Sequence, residues 1–278
     1  MPHTELAPAK VNLALHVLGR RPDGYHELDS IVAFAALGDR LTFAEAEDWR
    51  LDVTGPFAEG LPRGADNLAL EAALSFGRVF PAAARRYRIT LDKTLPVASG
   101  IGGGSADAAA VLRALARLAG VADRGKLAIL AAMLGADVPV CLLGRTCRMR
   151  GVGERIEIVE GLDPMPAVLV NPGVPLATAE VFARLDLRPG DEAFPGLSGT
   201  ADPAAGRNDL TGPALALAPA IGEVIAALEA QGDLRFARLS GSGATCFGIF
   251  SSAQAAAAAA RTISAAHPAW WVAPTTLG

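Results

Sequence analysis

The chain is organised around the stretch Pro96-Val97-Ala98-Ser99-Gly100-Ile101-Gly102-Gly103-Gly104-Ser105-Ala106, in which four glycines occupy five positions. Before it, residues 87–92 alternate apolar and polar side chains, which predicts a half-buried strand. After it, apolar residues recur at helical spacing over 108–119 and stop at Gly120, which predicts a helix that ends near this glycine. The local order is therefore strand, glycine loop and helix start.

This order is typical of an anion site. Glycine lets successive backbone N–H groups turn toward one point, and a helix start adds N–H groups without partners and a partial positive charge. A Walker-type loop would need Lys and then Ser or Thr after Gly104, where Ser105-Ala106 stands, and a dinucleotide fingerprint that begins at Gly100 would need glycine at 105. The pattern predicts a third kind of phosphate loop, and the alternative is a tight turn without a ligand.

Composition narrows the class of protein. Of the 278 residues, 51% are apolar and 19% are charged, which predicts a globular, helix-rich chain. A net charge of −4 argues against a nucleic-acid binder. Cys141, Cys147 and Cys246 lack C-x-x-C spacing, so we expect neither a disulfide framework nor a zinc site, and no metal-ligand set is identified.

Targeting signals are not evident. The first ten residues lack the apolar segment of a secretory signal, so we expect a cytoplasmic protein. The long apolar stretch 127–144 contains Gly135, Asp137 and Pro139 near its centre, which argues against a membrane span.

The first half of the chain alternates strands and helices. Residues 11–17 predict a strand that places Lys10 and Asn12 on one face, and a turn carries Tyr25 and His26 to a second strand, 27–34. Further strands are predicted near 41–44 and 51–53. Asn67 precedes a predicted helix over 68–79.

The remaining elements surround two further motifs. A helix over 126–134 ends at Gly135, and Asp137 lies in a turn before a predicted strand, 140–143. The turn-rich stretch 151–166 predicts a domain boundary, giving domains 1–160 and 161–278.

The second domain has its own pattern. Phe182 lies on a short predicted helix, and Asn208-Asp209-Leu210 precedes a longer predicted helix that runs through Gln231. Ser240-Gly241-Ser242-Gly243 forms a second glycine loop between two strands. A further helix, 254–266, and a last strand near 270–272 complete an α+β architecture.

Five motifs together resemble the GHMP kinase superfamily: P-A-K-V-N-L at 8–13, D-G-Y-H at 23–26, the loop 96–106, L-G-A-D-V-P at 134–139 and L-S-G-S-G-A at 239–244. They span nearly the whole chain. The resemblance implies a two-domain GHMP kinase fold, with an N-terminal domain like the second domain of ribosomal protein S5 and a ferredoxin-like C-terminal domain. The order of P-A-K-x-N-L, D-G-Y-H and L-G-A-D-V-P is similar to the branch that transfers the γ-phosphoryl of ATP to the 2-hydroxyl of a cytidine-diphosphate-linked methylerythritol, in the non-mevalonate route to isoprenoid precursors.

The resemblance assigns roles to individual residues. Asp137 would contact the substrate hydroxyl as a base or an orienting acceptor, with Lys10 beside it. An adjacent ammonium lowers the pKa of a carboxylate, so Lys10 would orient Asp137 and stabilise charge rather than make it more basic. The cytidine-diphosphate site would be lined by Asn12, Tyr25, His26, Val152 and Phe182.

Other residues would serve the phosphates and the nucleotide. Ser240, Gly241 and Ser242 would close over the phosphates, and loop 96–106, Asn67 and Lys93 would bind ATP. The family commonly has Ser where Ala106 stands, so the hydroxyl contact falls to Ser105. ATP implies Mg²⁺, held chiefly by phosphates, water and Ser105.

Two rival interpretations stay open at the level of sequence. One is another GHMP kinase, such as a homoserine or mevalonate kinase, against which D-G-Y-H argues. The other is a non-catalytic nucleotide sensor or RNA-binding module with an S5-like fold, against which the net charge and the joint presence of Lys10 and Asp137 argue. We expect a small-molecule substrate, no nucleic acid, no membrane, and a monomer or weak homodimer.

Overall fold

The structure is a computed structural model that describes residues 3–82, 85–197 and 202–278. The strands are β1 His3–Arg20, β2 His26–Glu45, β3 Arg50–Thr54, β4 Tyr87–Asp92, β5 Cys147–Gly151, β6 Arg155–Ile158, β7 Met165–Asn171, β8 Leu234–Leu239, β9 Cys246–Phe250 and β10 Trp271–Leu277. The helices are α1 Leu68–Val79, α2 Gly103–Leu118, α3 Arg124–Leu134, α4 Val138–Leu143, α5 Thr178–Ala183, α6 Thr211–Leu217, α7 Ala220–Glu229 and α8 Ala253–Ala266, with a 3₁₀ turn at Pro203–Ala205.

The chain divides into two compact units of interleaved segments. Among the described residues, unit 1 contains the chain up to Ala9, Leu37–Val97 and Gly102–Gly144, and unit 2 contains Lys10–Ala36, Ala98–Ile101 and Arg145–Gly278. Both β1 and β2, which pair with each other, contribute to both units. The predicted domain boundary at residue 160 remains a prediction.

Unit 1 is built on β4. This strand pairs in parallel with β3, where Leu51 lies opposite Ile89, and antiparallel with the second half of β2, where Leu41 lies opposite Leu91. Ile89 and Leu91 are buried while Arg88 is exposed, as the predicted alternation requires. Helices α1 and α2 pack on each other, and the buried face of α2 is rich in alanine, which lets the helices approach closely.

Unit 2 contains an antiparallel sheet in the order β10-β7-β9-β8. Along the chain its elements follow as strand, helices, strand, strand, helix, strand, so the sheet order is fourth, first, third and second. This is the split β-α-β arrangement of the predicted ferredoxin-like domain. Apolar side chains of β7, α7 and α8, among them Val168, Val170, Ile221 and Ile263, form its core. A hairpin of β5 and β6 pairs through β5 with the first half of β2.

Two predictions of local structure were wrong. Residues 140–143 are not a strand but part of α4, because a short apolar run fits a buried helix equally well and Pro139 is compatible with a first helical turn. The single helix predicted after Leu210, through Gln231, is two helices, since Ala218 and Pro219 separate α6 from α7. Strand β6 was not predicted.

Two absences can be stated for the described residues. None of their helices has the length and apolar character needed to cross a membrane. The three cysteines are buried, and within the same part of the chain no disulfide joins them.

Gly38 tests the packing of β1 on β2 within unit 1. A Cβ at Gly38 would lie 2.1 Å from the carbonyl oxygen of Ala7 and 2.6 Å from Cα of Pro8, and these backbone atoms cannot move away cheaply. We expect Gly38→Ala to lower the free energy of unfolding by about 1–3 kcal/mol in urea titrations. Gly212→Ala is the control, because a Cβ there meets no atom within 4 Å and alanine favours helix α6. Equal stability of the two variants would contradict the packing argument.

Candidate active site

The glycine loop has an unusual backbone. Ala98, Gly100 and Gly102 have φ angles of +49°, +74° and +64°. Gly102 precedes α2 without a side-chain cap, so no side chain covers the N–H groups of the first helical turn. The N–H groups and the helix dipole therefore point toward a place that suits an anion.

In unit 2 the glycine loop meets the second glycine loop. The Ser240 hydroxyl donates to the carbonyl oxygen of Gly100 at 3.0 Å, and the Thr245 N–H donates to the carbonyl oxygen of Ser99 at 3.0 Å. A Cβ at Gly100 would lie 2.4 Å from the carbonyl oxygen of Ser240, and one at Gly241 would lie 2.7 Å from that of Gly100. Only glycine permits this backbone contact. The structure thus brings together two loops that the sequence predicted separately.

Asn208 holds the second loop from behind, and the sequence analysis did not identify it. Its Nδ2 donates to the carbonyl oxygens of Leu239 at 2.9 Å and Gly241 at 2.8 Å, and its Oδ1 accepts the N–H of Leu210 at 2.9 Å. All of these bonds are buried. The N-D-L tripeptide at 208–210 before a helix was the available signal, but nothing in it specifies a distant loop.

Ser242 lies in the same loop. It is 5% exposed, and its hydroxyl shares a hydrogen bond of 2.9 Å with that of Thr178, the first residue of α5. The second glycine loop is therefore connected to the helix that carries Phe182.

Lys10 and Asn12 are both buried on β1, 4% and 1% exposed. The Lys10 N–H donates to the carbonyl oxygen of Ile101 at 2.9 Å, and the Asn12 N–H donates to Ser240 Oγ at 3.1 Å. Strand β1 thus contacts both glycine loops within unit 2. Asn12 Nδ2 also donates to Ser30 Oγ at 2.8 Å, whereas Asn12 Oδ1 is buried and finds no donor among the described residues.

Two aromatic side chains of unit 2, those of His26 and Phe182, pack against each other, and together with Tyr25, which is next to His26 in the chain, we call them the aromatic cluster. The rings of His26 and Phe182 lie 4.8 Å apart between centroids with an interplanar angle of 34°, and Tyr25, which precedes His26, is 66% exposed. Burial of the imidazole, and then the nearby Arg20 guanidinium, lower the pKa of His26 below its ordinary value. His26 is therefore neutral at pH 7 and can both donate and accept one hydrogen bond.

Val152 lies in the tight turn between β5 and β6. Its N–H donates to Glu154 Oε2 at 2.7 Å, and Gly151 and Gly153 on either side have φ angles of +75° and +113°. The predicted role of Val152 at the cytidine site stays a prediction.

Asp137 belongs to unit 1. It is half-buried at the start of α4, and its carbonyl oxygen accepts the N–H of Cys141 at 3.1 Å, while its side chain makes no capping bond to the helix. The carboxylate of Asp137 therefore does not cap α4.

Asn67, also in unit 1, caps α1. Its Oδ1 accepts the N–H of Ala69 at 3.0 Å and its Nδ2 donates to the carbonyl oxygen of Pro62 at 2.8 Å. Both polar groups of the side chain thus have partners within the protein, so the residue has a structural role besides its predicted one.

Lys93 lies at the centre of a buried ion cluster. Its Nζ donates to Asp39 Oδ2 and Asp107 Oδ2, each at 2.6 Å, and none of the three side chains is more than 4% exposed. Asp39 Oδ1 accepts the N–H groups of Thr94 at 2.6 Å and Leu95 at 2.8 Å. Burial raises the pKa of Asp107 to about 7, against the opposing effect of Lys93, while the two carboxylates hold the pKa of Lys93 above its ordinary value. The sequence analysis identified Lys93 but neither aspartate.

The chain matches two family descriptions. Residues 67–145 match "GHMP kinases N terminal domain" and residues 196–269 match "GHMP kinases C terminal". Together with the fold and the glycine loops, these matches define the class of protein as a GHMP kinase with a two-domain fold.

Relatives narrow the class. A protein of Dinoroseobacter shibae called 4-diphosphocytidyl-2-C-methyl-D-erythritol kinase is 50% identical, over 99% of this chain and 95% of its own, and one of Cereibacter sphaeroides with the same name is 53% identical over 98% of both. A crystal structure of 4-(cytidine 5′-diphospho)-2C-methyl-D-erythritol kinase superposes with a TM-score of 0.84 at 39% identity over 99% of both chains. The chain therefore belongs to the family of 4-diphosphocytidyl-2-C-methyl-D-erythritol kinases. It is an ATP-dependent kinase.

The lowered pKa of His26 can be measured directly. The chain has four histidines, so NMR titration of the imidazole protons can follow each one, with His26→Gln to assign the signal. We expect His26 to stay neutral until the pH falls below 6.5, the ordinary value. Phe182→Ala exposes the imidazole, and its pKa should then rise toward 6.5. A pKa of His26 at or above 6.5 in the wild-type protein would contradict the expected lowering.

Proposed function

We propose that this protein transfers the γ-phosphoryl group of ATP to the 2-hydroxyl of 4-diphosphocytidyl-2-C-methyl-D-erythritol. The aromatic cluster is the observation that carries the proposal. The rings of His26 and Phe182 pack together, and Tyr25, the residue before His26, offers an exposed ring. A flat, uncharged base such as cytosine can stack on such rings while a neutral imidazole hydrogen-bonds its edge. Homoserine and mevalonate have no base to occupy this cluster.

We assign the chemistry to Asp137 and Lys10. Phosphoryl transfer depends mostly on positioning and on stabilisation of charge. Asp137 orients the acceptor hydroxyl or accepts its proton, and Lys10 stabilises negative charge on the acceptor oxygen and the transferred phosphoryl. The backbone of each residue is fixed, since the Lys10 N–H donates to the carbonyl oxygen of Ile101 and the carbonyl oxygen of Asp137 accepts the N–H of Cys141, which supports a positioning role.

We assign the ATP phosphates to loop 96–106 and the first turn of α2, supported by Ser240, Gly241 and Ser242. Gly104 is exposed at this turn, and a Cβ there would meet no protein atom within 4 Å, so the place beside it is open to a ligand. Asn67 and Lys93 would contribute to nucleotide binding indirectly, by holding in place the elements to which they are hydrogen-bonded.

Mg²⁺ fits this donor set. Mg²⁺ prefers oxygen ligands, and the Ser105 hydroxyl, phosphate oxygens and water are donors of this kind. Among the described residues, no group of three or more His, Cys, Asp or Glu side chains is placed to hold a metal. The ion would supply charge neutralisation on the phosphates. Cytoplasmic location and a monomeric or weakly dimeric state remain predictions.

The direct test is a coupled assay of ADP release. Purified protein with ATP and Mg²⁺ should release ADP in the presence of the cytidyl polyol and not with homoserine or mevalonate. ADP release that does not depend on the cytidyl polyol would refute the proposal, and release with mevalonate or homoserine would indicate another kinase of the superfamily.

The role of Asp137 can be tested by removing its charge. We expect Asp137→Asn to lower kcat by about 10² to 10⁴-fold, the usual contribution of a general base, with little change in melting temperature. Asp123→Asn is the control, since this exposed acid of unit 1 caps α3 and pairs with the exposed Lys126, asparagine caps equally well, and an exposed ion pair contributes little to stability. A near-normal kcat in folded Asp137→Asn would show that this carboxylate does not take part in the reaction.

The aromatic cluster gives a separate prediction. Stacking of a base on an aromatic ring contributes about 1–3 kcal/mol, so Tyr25→Ala should raise KM for the cytidyl substrate about five- to hundredfold and leave KM for ATP within twofold. Phe194→Ala is the control, because Phe194 is the 45% exposed ring of another segment of unit 2. Equal increases in both KM values would favour a purely structural role for Tyr25.

A further inference from the structure

Arg20 is the last residue of β1 and has not been given a role so far. Its Nε donates to the carbonyl oxygen of Gly24 at 3.1 Å, and its Nη1 donates to the carbonyl oxygen of Leu187 at 2.9 Å. Gly24 immediately precedes Tyr25, and Leu187 follows the helix that carries Phe182. One guanidinium therefore joins the two chain segments that hold the aromatic cluster.

The backbone of Arg20 fixes the same segments. Its N–H donates to the carbonyl oxygen of Asp191 at 2.9 Å, and its carbonyl oxygen accepts the N–H of Gly190 at 2.6 Å. In the turn, the N–H of Arg21 donates to the carbonyl oxygen of Tyr25 at 2.7 Å. The turn and the segment after α5 are thus anchored at one point of β1. Because a guanidinium has a rigid fork of donors, it sets the distance between the two carbonyl groups that it binds.

We propose that Arg20 is a positioning residue for the cytidyl substrate, which holds the turn of Tyr25 and His26 at the right distance from Phe182. The inference rests on the proposed function. It goes beyond that function because Arg20 reaches the base only through other residues and belongs to none of the sequence motifs.

The charge of Arg20 also acts on the imidazole of His26. Other ionisable side chains stand on the segments around His26, in the turn, on β2 and on α5: Arg21, Asp23, Glu27, Glu180 and Arg184. Among charged groups, Arg20 is the one that lowers the pKa of His26, after burial. An imidazolium offers donors only, whereas cytosine presents both a donor and acceptors at its edge. A neutral imidazole can match either kind of group.

Three variants test the inference by steady-state kinetics. In Arg20→Met both carbonyl contacts are lost, and we expect KM for the cytidyl substrate to rise about tenfold while KM for ATP stays within twofold. Arg20→Lys keeps a cation that can reach one carbonyl group but not both. Its KM for the cytidyl substrate should therefore lie between those of wild type and Arg20→Met. Arg145→Met is the matched control: it removes the same charge from an exposed residue of unit 2, whose side chain pairs with the exposed Glu160, and its KM values should equal those of wild type.

Several results would overturn the proposal. These are an unchanged KM for the cytidyl substrate in Arg20→Met, a parallel increase of both KM values, or the same effect in Arg145→Met. If Arg20→Met does not fold, Arg20→Lys decides by the same criteria.

A failure of the proposed function can be told apart from a failure of this inference. If wild-type protein does not phosphorylate the cytidyl polyol, the proposed function is wrong, and NMR titration then tests Arg20 without turnover. The pKa of His26 should rise in Arg20→Met and stay at the wild-type value in Arg145→Met. An unchanged pKa of His26 in Arg20→Met would overturn the role of Arg20 in either case.

Discussion

The ion cluster of Asp39, Lys93 and Asp107 is the constraint on which the glycine loop depends. A buried ammonium or carboxylate is costly unless it is paired and hydrogen-bonded, and removal of one partner of a buried pair commonly costs about 3–5 kcal/mol. Here the cost is met by short bonds from Lys93 to both aspartates, and by the N–H groups of Thr94 and Leu95 on Asp39. The cluster fixes the chain just before the loop and the helix just after it. The loop with its positive φ angles is therefore held at both ends.

Backbone contact between two glycine loops is the second constraint, and it works in the opposite way. The ion cluster needs specific side chains, whereas the approach of Gly100 to Ser240 and Gly243 needs their absence, since a Cβ at Gly100 would lie within 2.4–2.7 Å of backbone atoms. Asn208 supplies the side-chain bonds that these glycines cannot make. Positive φ angles and close approach thus explain why glycine recurs in two loops far apart in the sequence.

Sequence alone predicted the elements whose signal is local. The alternation at 87–92 and the glycine loop before α2 were read correctly, because strand period and helix start are written in neighbouring residues. The strand predicted at 140–143 was wrong because four apolar residues carry no period that separates a strand from a helix. Asp39 could not have been found, since its partners Thr94 and Leu95 lie 55 and 56 positions away and an aspartate at a strand has no sequence signature. Arg20 and Asn208 escaped notice for the same reason.

The side chain of Asn12 leaves one buried acceptor of unit 2 without a donor among the described residues. The Ser30 hydroxyl donates to the carbonyl oxygen of Ala14 at 2.6 Å, so toward Asn12 it can only accept, and this fixes Nδ2 as the side of the amide that faces Ser30. Oδ1 is consequently turned away, beside Gly241, with no donor among the described residues. A buried acceptor without a donor costs about 1–3 kcal/mol. A bound polyol carries hydroxyl donors, so under the proposed function the same oxygen that weakens the ligand-free fold favours the complex, and it does so for a donor but not for an apolar group of the same size.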